Sequence, residues 1–234
     1  MKRLRIWGTT IVTIVVLALP FVGGSGPGLT VPAHADALPS QTIDRSNAPV
    51  GTAGQASGTL DRRAEYAAAG QSCPAALDIA HTGLVGGTTS PLGVGGTTQD
   101  DLDTFAAAFN AIRIENCLEP IPFDRFTWDS CMEHRLFWMA EDPSTDPLSA
   151  WGHLGSERSD GLPSVGCDGN LAGGPDNTGS TVAYKWWVSD AHRASLYRPG
   201  SESGGACIAF AMTHGGVPNE AASFTRAAAR WYDC

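Results

Sequence analysis

The sequence predicts an α+β domain with its helices first and its strands last. Apolar residues recur at helical spacing across residues 98–141 and again across 181–191. Two β-rich runs, 206–213 and 223–231, close the chain with Gly215-Gly216 between them. The span from Thr98 onward is about 135 residues, inside the usual size of one domain.

The first helix opens at Thr98, where Thr98 and Asp101 form a capping-box pattern with Asp in place of the usual Glu. Leu102, Phe105, Ala106, Phe109 and Ile112 give it one apolar face, and it should end near Cys117, ahead of Pro120. A second helix fits 128–141, with Cys131, Leu136, Trp138 and Met139 as its apolar surface and Asp142-Pro143 as its stop. Residues 143–180 are rich in Pro and Gly and read as loop. The third helix, 181–191, carries Trp186 and Trp187.

Upstream, Lys2, Arg3 and Arg5 precede an apolar stretch at 11–22 and an Ala33-His34-Ala35 site, the three parts of a secretory signal peptide. Cleavage is expected after Ala35. The apolar stretch is short and broken by Pro20 and Gly23, which argues against a membrane span. Residues 36–97 are rich in Gly, Ala, Ser and Thr and poor in large apolar side chains. They read as a mostly disordered linker, with a short helix at about 61–69.

The full chain has a net charge of −9. Residues 1–35 carry three basic and no acidic residues, so their removal moves it to −12. An acidic surface argues against nucleic acid and anionic membrane as partners. Six cysteines, Cys73, Cys117, Cys131, Cys167, Cys207 and Cys234, form an even set that reads as disulfides in an exported chain, and 15 pairings are open. Without a C-x-x-C pair, a zinc ribbon or thioredoxin-type site is not expected.

The chain has no G-x-S-x-G elbow, H-E-x-x-H or phosphate loop, so its candidate chemistry rests on histidines. His153 lies in the loop-rich middle, and His192 ends the third helix, where the helix dipole and nearby Asp190 favour its charged form. One reading pairs the two across a cleft, as metal ligands or as acid and base. The other makes both structural. Ser189 and His192, three apart on one helix, suit a cap better than a nucleophile–base pair. His134 sits among residues that read as a solvated helix face. His81 falls in the linker, and His214, at a strand end, is a candidate pocket residue.

Taken in order, these segments resemble the CAP superfamily (cysteine-rich secretory proteins, antigen 5 and plant pathogenesis-related 1), and within it the bacterial extracellular SCP-like branch. Asn110-Ala111-Ile112-Arg113, Leu118-Glu119-Pro120-Ile121, Asp168-Gly169-Asn170-Leu171-Ala172 and Trp187 to Leu196 carry the likeness. The resemblance implies an α-β-α sandwich with a central antiparallel sheet over residues 98–234. It also implies a cleft holding His153, His192, Asp168, Asn170, Ser189 and Asp190. The family's cleft glutamate falls on Gly169, with Asp168 one position early and Glu157 or Asp160 as stand-ins. Against that family background the bridges expected are Cys117–Cys131, Cys167–Cys207 and Cys73–Cys234.

What the resemblance implies for function is a secreted, non-enzymatic binding module for a lipid, an envelope component or a host or competitor protein. The alternative is a metal-assisted, peptidase-like hydrolase, in which His153 and His192 hold a divalent ion such as zinc and Asp168 or Asp190 completes the set. A surface protein with no pocket ligand is the third reading.

Overall fold

A computed structural model describes residues 62–234 apart from 79, 202, 218, 219 and 222. The signal-peptide reading and the first part of the linker lie outside the described residues. The architecture is α+β: four principal helices, α1 (Arg63–Ala68), α2 (Gln99–Glu115), α3 (Ser130–Ala140) and α4 (Gly179–Val188), with strands β1 (Phe126–Trp128), β2 (Asn170–Pro175), β3 (Ala206–His214) and β4 (Phe224–Asp233).

Local chemistry sets the helix starts. Thr98 Oγ1 accepts from the Asp101 amide (3.1 Å), and Asp101 Oδ2 accepts from the Thr98 amide (2.8 Å), closing the capping box of α2. Asp129 caps α3 by accepting from the amides of Cys131 (2.9 Å) and Met132 (3.0 Å). Thr178 and Thr181 form a second reciprocal box at α4. That helix ends at Val188, because Ser189 turns extended. A short turn, Asp190–His192, then leads into a π-helical turn, Arg193–Tyr197.

The sheet order is β1-β3-β4-β2. It is mixed rather than antiparallel: β3–β4 and β4–β2 are antiparallel, but β1 runs parallel to β3, with Phe126 opposite Ile208. The chain leaves β1 through helices and loops before it returns as β3, so no hairpin constrains that pair to run antiparallel. β1 and β2 were not expected. β1 is three residues long, and β2 reads Asn-Leu-Ala-Gly-Gly-Pro, a composition that signals turn more than strand.

Alternation along β3 and β4 separates two cores. Ile208, Phe210, Met212, Ala227, Ala229 and Trp231 face α2 and α4, where Phe105 stacks on Phe210 (ring centroids 4.4 Å apart) and Phe109 on Tyr197 (4.2 Å). Ala209, Ala211 and Ala228 face the other way. Their small side chains admit Met132, Leu136, Trp138 and Met139, all from α3. Helices therefore cover both faces of the sheet. Truncating a fully buried ring such as Phe105 would cost about 3–5 kcal/mol.

All three expected bridges are corrected. The pairs are Cys73–Cys117, Cys131–Cys167 and Cys207–Cys234. Cys117 follows the end of α2 on one face of the sheet while Cys131 lies in the first turn of α3 on the other, so they do not meet. α1 instead lies at the end of α2, where the Arg62 amide donates to Asn116 O (3.2 Å) and brings Cys73 to Cys117. The β3–β4 register sets Tyr232 opposite Cys207, which carries Cys234 to the start of β3.

The linker reading also needs correction from residue 80 onward. The Gly83 amide donates to Phe126 O (2.8 Å) along the outer edge of β1, and Gly95 exchanges two backbone hydrogen bonds with His214. Buried Glu133, on α3, accepts from the Thr97 amide (2.7 Å), Trp128 Nε1 (3.2 Å) and Thr88 Oγ1. Val94 packs on Phe137 and Ala140. Backbone and polar pairing, rather than apolar bulk, hold this stretch, so a hydrophobicity-based reading passes over it. Among the described residues no helix is long and apolar enough to cross a membrane.

Candidate functional site

The loop between α3 and β2 carries both members of one histidine–carboxylate hydrogen bond. His153 Nδ1 lies 2.8 Å from Asp168 Oδ1, and the Asp168 carboxylate also accepts from the amides of Leu154 (3.2 Å) and Gly169 (2.9 Å). Burial pushes the Asp168 carboxyl up, but the hydrogen bond from His153 and the two amides outweigh it, and the net shift is downward. Asp168 is therefore ionised at neutral pH and accepts only, so Nδ1 of His153 carries the proton. The other ring nitrogen is left to face outward on a side chain that is 65% exposed.

His192 belongs to the same neighbourhood. Its pKa is lowered, first by burial and then by the charge of His153, so the two imidazoles act on each other electrostatically. The direction is opposite to the expectation from a helix C-terminus. His192 does not end a long helix, and Asp190 turns to Arg193 Nη2 rather than to the imidazole. Ser195 Oγ sits 2.5 Å from Asn170 Oδ1, and Asn170 Nδ2 donates to Ala229 O (3.1 Å). This ties the turn after His192 to the strand that begins two residues beyond Asp168.

Of the expected site residues, His153 and Asp168 are in direct contact, His192 is electrostatically coupled to His153, and Asn170 joins them through Ser195. Ser189 makes no side-chain capping bond at the turn it precedes, and Asp190 is committed to Arg193. Among the stand-ins for a glutamate, Asp160 pairs with Arg158 (2.7 Å). At Gly169 a Cβ would lie 2.9 Å from Met132 Sδ and 3.0 Å from Ala229 O, so a side chain there would have to displace Met132 and press on the β4 backbone. The carboxylate partner of His153 comes from the preceding residue.

Among the described residues no three of His, Cys, Asp or Glu are arranged to hold a metal ion. Two imidazoles, His153 and His192, the first engaged with Asp168 through Nδ1, fall short of the three or four ligands of stable metal sites. The Ser195 hydroxyl has Asn170 Oδ1 and the carbonyls of Ala191 and His192 as acceptors and is not aimed at an imidazole. All cysteines described are in disulfides.

His214 lies apart from this site. Its Nε2 is 2.9 Å from Asp101 Oδ2 at the start of α2, a structural contact. His134 is exposed, but its neighbours Glu133 and Arg135 are buried, which corrects the solvated-face reading. Arg135 is the residue the sequence reading missed. Its Nη2 donates to the carbonyls of Gly152 (2.8 Å) and His153 (2.7 Å) and to Ser156 Oγ (2.7 Å). Its only sequence signal is its place one helical turn after Cys131 on α3.

Comparison with protein-family models, with curated proteins and with solved structures gives no match.

Proposed function

We propose that this chain is an exported CAP-like domain that works as a non-enzymatic extracellular binding module, with the His153–Asp168–His192 patch as its contact site for a lipid, an envelope component or another extracellular protein. One observation carries the reading. The Nδ1 proton of His153 is committed to Asp168 at 2.8 Å, while the imidazole stays largely exposed. An oriented, solvent-facing imidazole, with a second one near it and no hydroxyl or thiol hydrogen-bonded to either among the described residues, is equipped to recognise a partner more than to transform it. Leu154, exposed next to His153 and hydrogen-bonded through its amide to Asp168, adds apolar surface beside the polar centre. The order of elements supports the CAP-like reading: two long helices, a loop carrying the first histidine, a third helix leading to the second, and two closing strands.

The test uses protein secreted by cells that express the full chain, as wild type and as the His153→Ala/His192→Ala double variant. Molecules that copurify are identified by mass spectrometry, and circular dichroism checks the fold. Depletion of a bound molecule by about tenfold or more in a folded double variant is the expected result. Equal retention by both proteins would overturn the assignment of the patch.

A hydrolytic reading is the alternative, because a carboxylate that fixes an imidazole also orients a general base. It requires turnover of peptide or ester substrates by the wild type that disappears in His153→Ala.

A further inference from the structure

We infer that one face of α3 is the jig for the histidine–carboxylate pair, with Arg135 as a positioning residue for His153 and the Cys131–Cys167 bridge as the tether for Asp168. The inference concerns the same patch as the proposed binding site, but it stands on the geometry of the pair.

Cys131 and Arg135 are one helical turn apart and so share a face of α3. Each takes hold of one half of the pair. The Cys131–Cys167 disulfide, reinforced by a hydrogen bond from the Cys167 amide to Cys131 O (3.0 Å), fixes the residue immediately before Asp168. Arg135, fully buried, gathers the carbonyls of Gly152 and His153 and the hydroxyl of Ser156 onto a single nitrogen, Nη2. Its guanidinium lies 4.4 Å from the centre of the Trp138 ring, which limits its sideways movement. It is also close enough to Asp168 for the two charges to interact.

Gly166 shows how tightly the loop is drawn in. Its φ is +78°, and a Cβ there would lie 2.5 Å from both the Arg135 amide nitrogen and Cys131 O. The loop thus crosses α3 between the two anchoring residues at a separation only glycine permits. Side chains held by a supporting shell keep the sub-ångström placement that recognition requires, and here both supports come from one rigid helix.

The experiment reads the ring-nitrogen NMR shifts of His153 at neutral pH, which distinguish the Nδ1–H form held by Asp168 from the Nε2–H form. The His214–Asp101 pair serves as an internal control. Arg135→Met should shift the His153 signals toward the Nε2–H form and leave those of His214 in place, and Arg135→Lys should restore part of the wild-type pattern. Ser156→Ala removes one acceptor without unpairing a further buried donor beyond the guanidinium. It should give a smaller shift in the same direction, and it decides the matter if Arg135→Met does not fold. Wild-type His153 shifts in Ser156→Ala and in a folded Arg135 variant would overturn the positioning role. A lost Nδ1–H signature with undiminished capture of the copurifying molecule would support the jig while counting against the patch as the binding site.

Discussion

The Nε2 atom of His214, at the end of β3, lies 2.9 Å from Oδ2 of Asp101 in the first turn of α2, and this contact joins the sheet to the capping box across 113 residues of chain. The hydrogen bond to Asp101 raises the pKa of His214 against the opposing effect of burial. For Asp101, burial acts upward but is outweighed by the hydrogen bonds from His214 and Thr98, so its net shift is downward. The raised His214 pKa contributes stability that is complete below its unfolded value, near 6.5, and is lost as pH rises through the higher folded value. The lowered Asp101 pKa contributes stability above its unfolded value of 3.8, lost as pH falls through the lower folded value. The pair is therefore strongest between those two unfolded values. Thermal unfolding of His214→Gln should show a loss of about 1–2 kcal/mol in that window, shrinking toward alkaline pH. A uniform loss at all pH values would contradict the charged pair.

The disulfide assignment is open to direct measurement. Non-reducing peptide mapping should recover Cys73–Cys117, Cys131–Cys167 and Cys207–Cys234. The bridged residues are 44, 36 and 27 positions apart, and loop-closure entropy makes each bridge worth about 3–4 kcal/mol. Loss of Cys131–Cys167 should in addition disturb the NMR signals of His153, which loss of Cys207–Cys234 should leave alone.

Glu133→Ala should release residues 88–97 from α3. The Thr97 amide and Trp128 Nε1 would lose their acceptor, at a cost of about 2–4 kcal/mol. Hydrogen exchange at Thr97 should accelerate sharply. Glu133→Gln keeps one acceptor oxygen and should retain part of the protection.

Gly169→Glu would introduce a glutamate at the position where the resemblance leads one to expect it. Its Cβ would press on Met132 Sδ and the Ala229 backbone, and the overpacking should cost about 1–3 kcal/mol. The His153–Asp168 contact should weaken rather than gain a second carboxylate, as read from the His153 ring-nitrogen shifts.

What could be read directly from the chain was local. The Thr98/Asp101 box, the apolar stripe from Leu102 to Ile112 and the β-rich runs that became β3 and β4 each follow from residues within a few positions of one another. His153 and His192 stand out as site candidates because the chain carries no stronger catalytic motif, whereas Asp168 is reached only through the family resemblance. β1 and β2 are not legible in the sequence, because three residues, or a Gly-Gly-Pro ending, hold too little pattern to mark a strand without the neighbour that pairs with them.

The helices, the closing strands and the α+β class are legible in the amino-acid order, because propensity, capping and periodicity act between near neighbours. The cysteine pairing, the place of residues 80–97 in the packed unit, the burial of Glu133 and Arg135, and the contacts of His153 with Asp168 and of Asp190 with Arg193 emerge only in the folded chain. Those outcomes depend on which face of the sheet each helix covers and on the β3–β4 register. Both are set by packing between residues far apart in the chain, and no local rule encodes that packing.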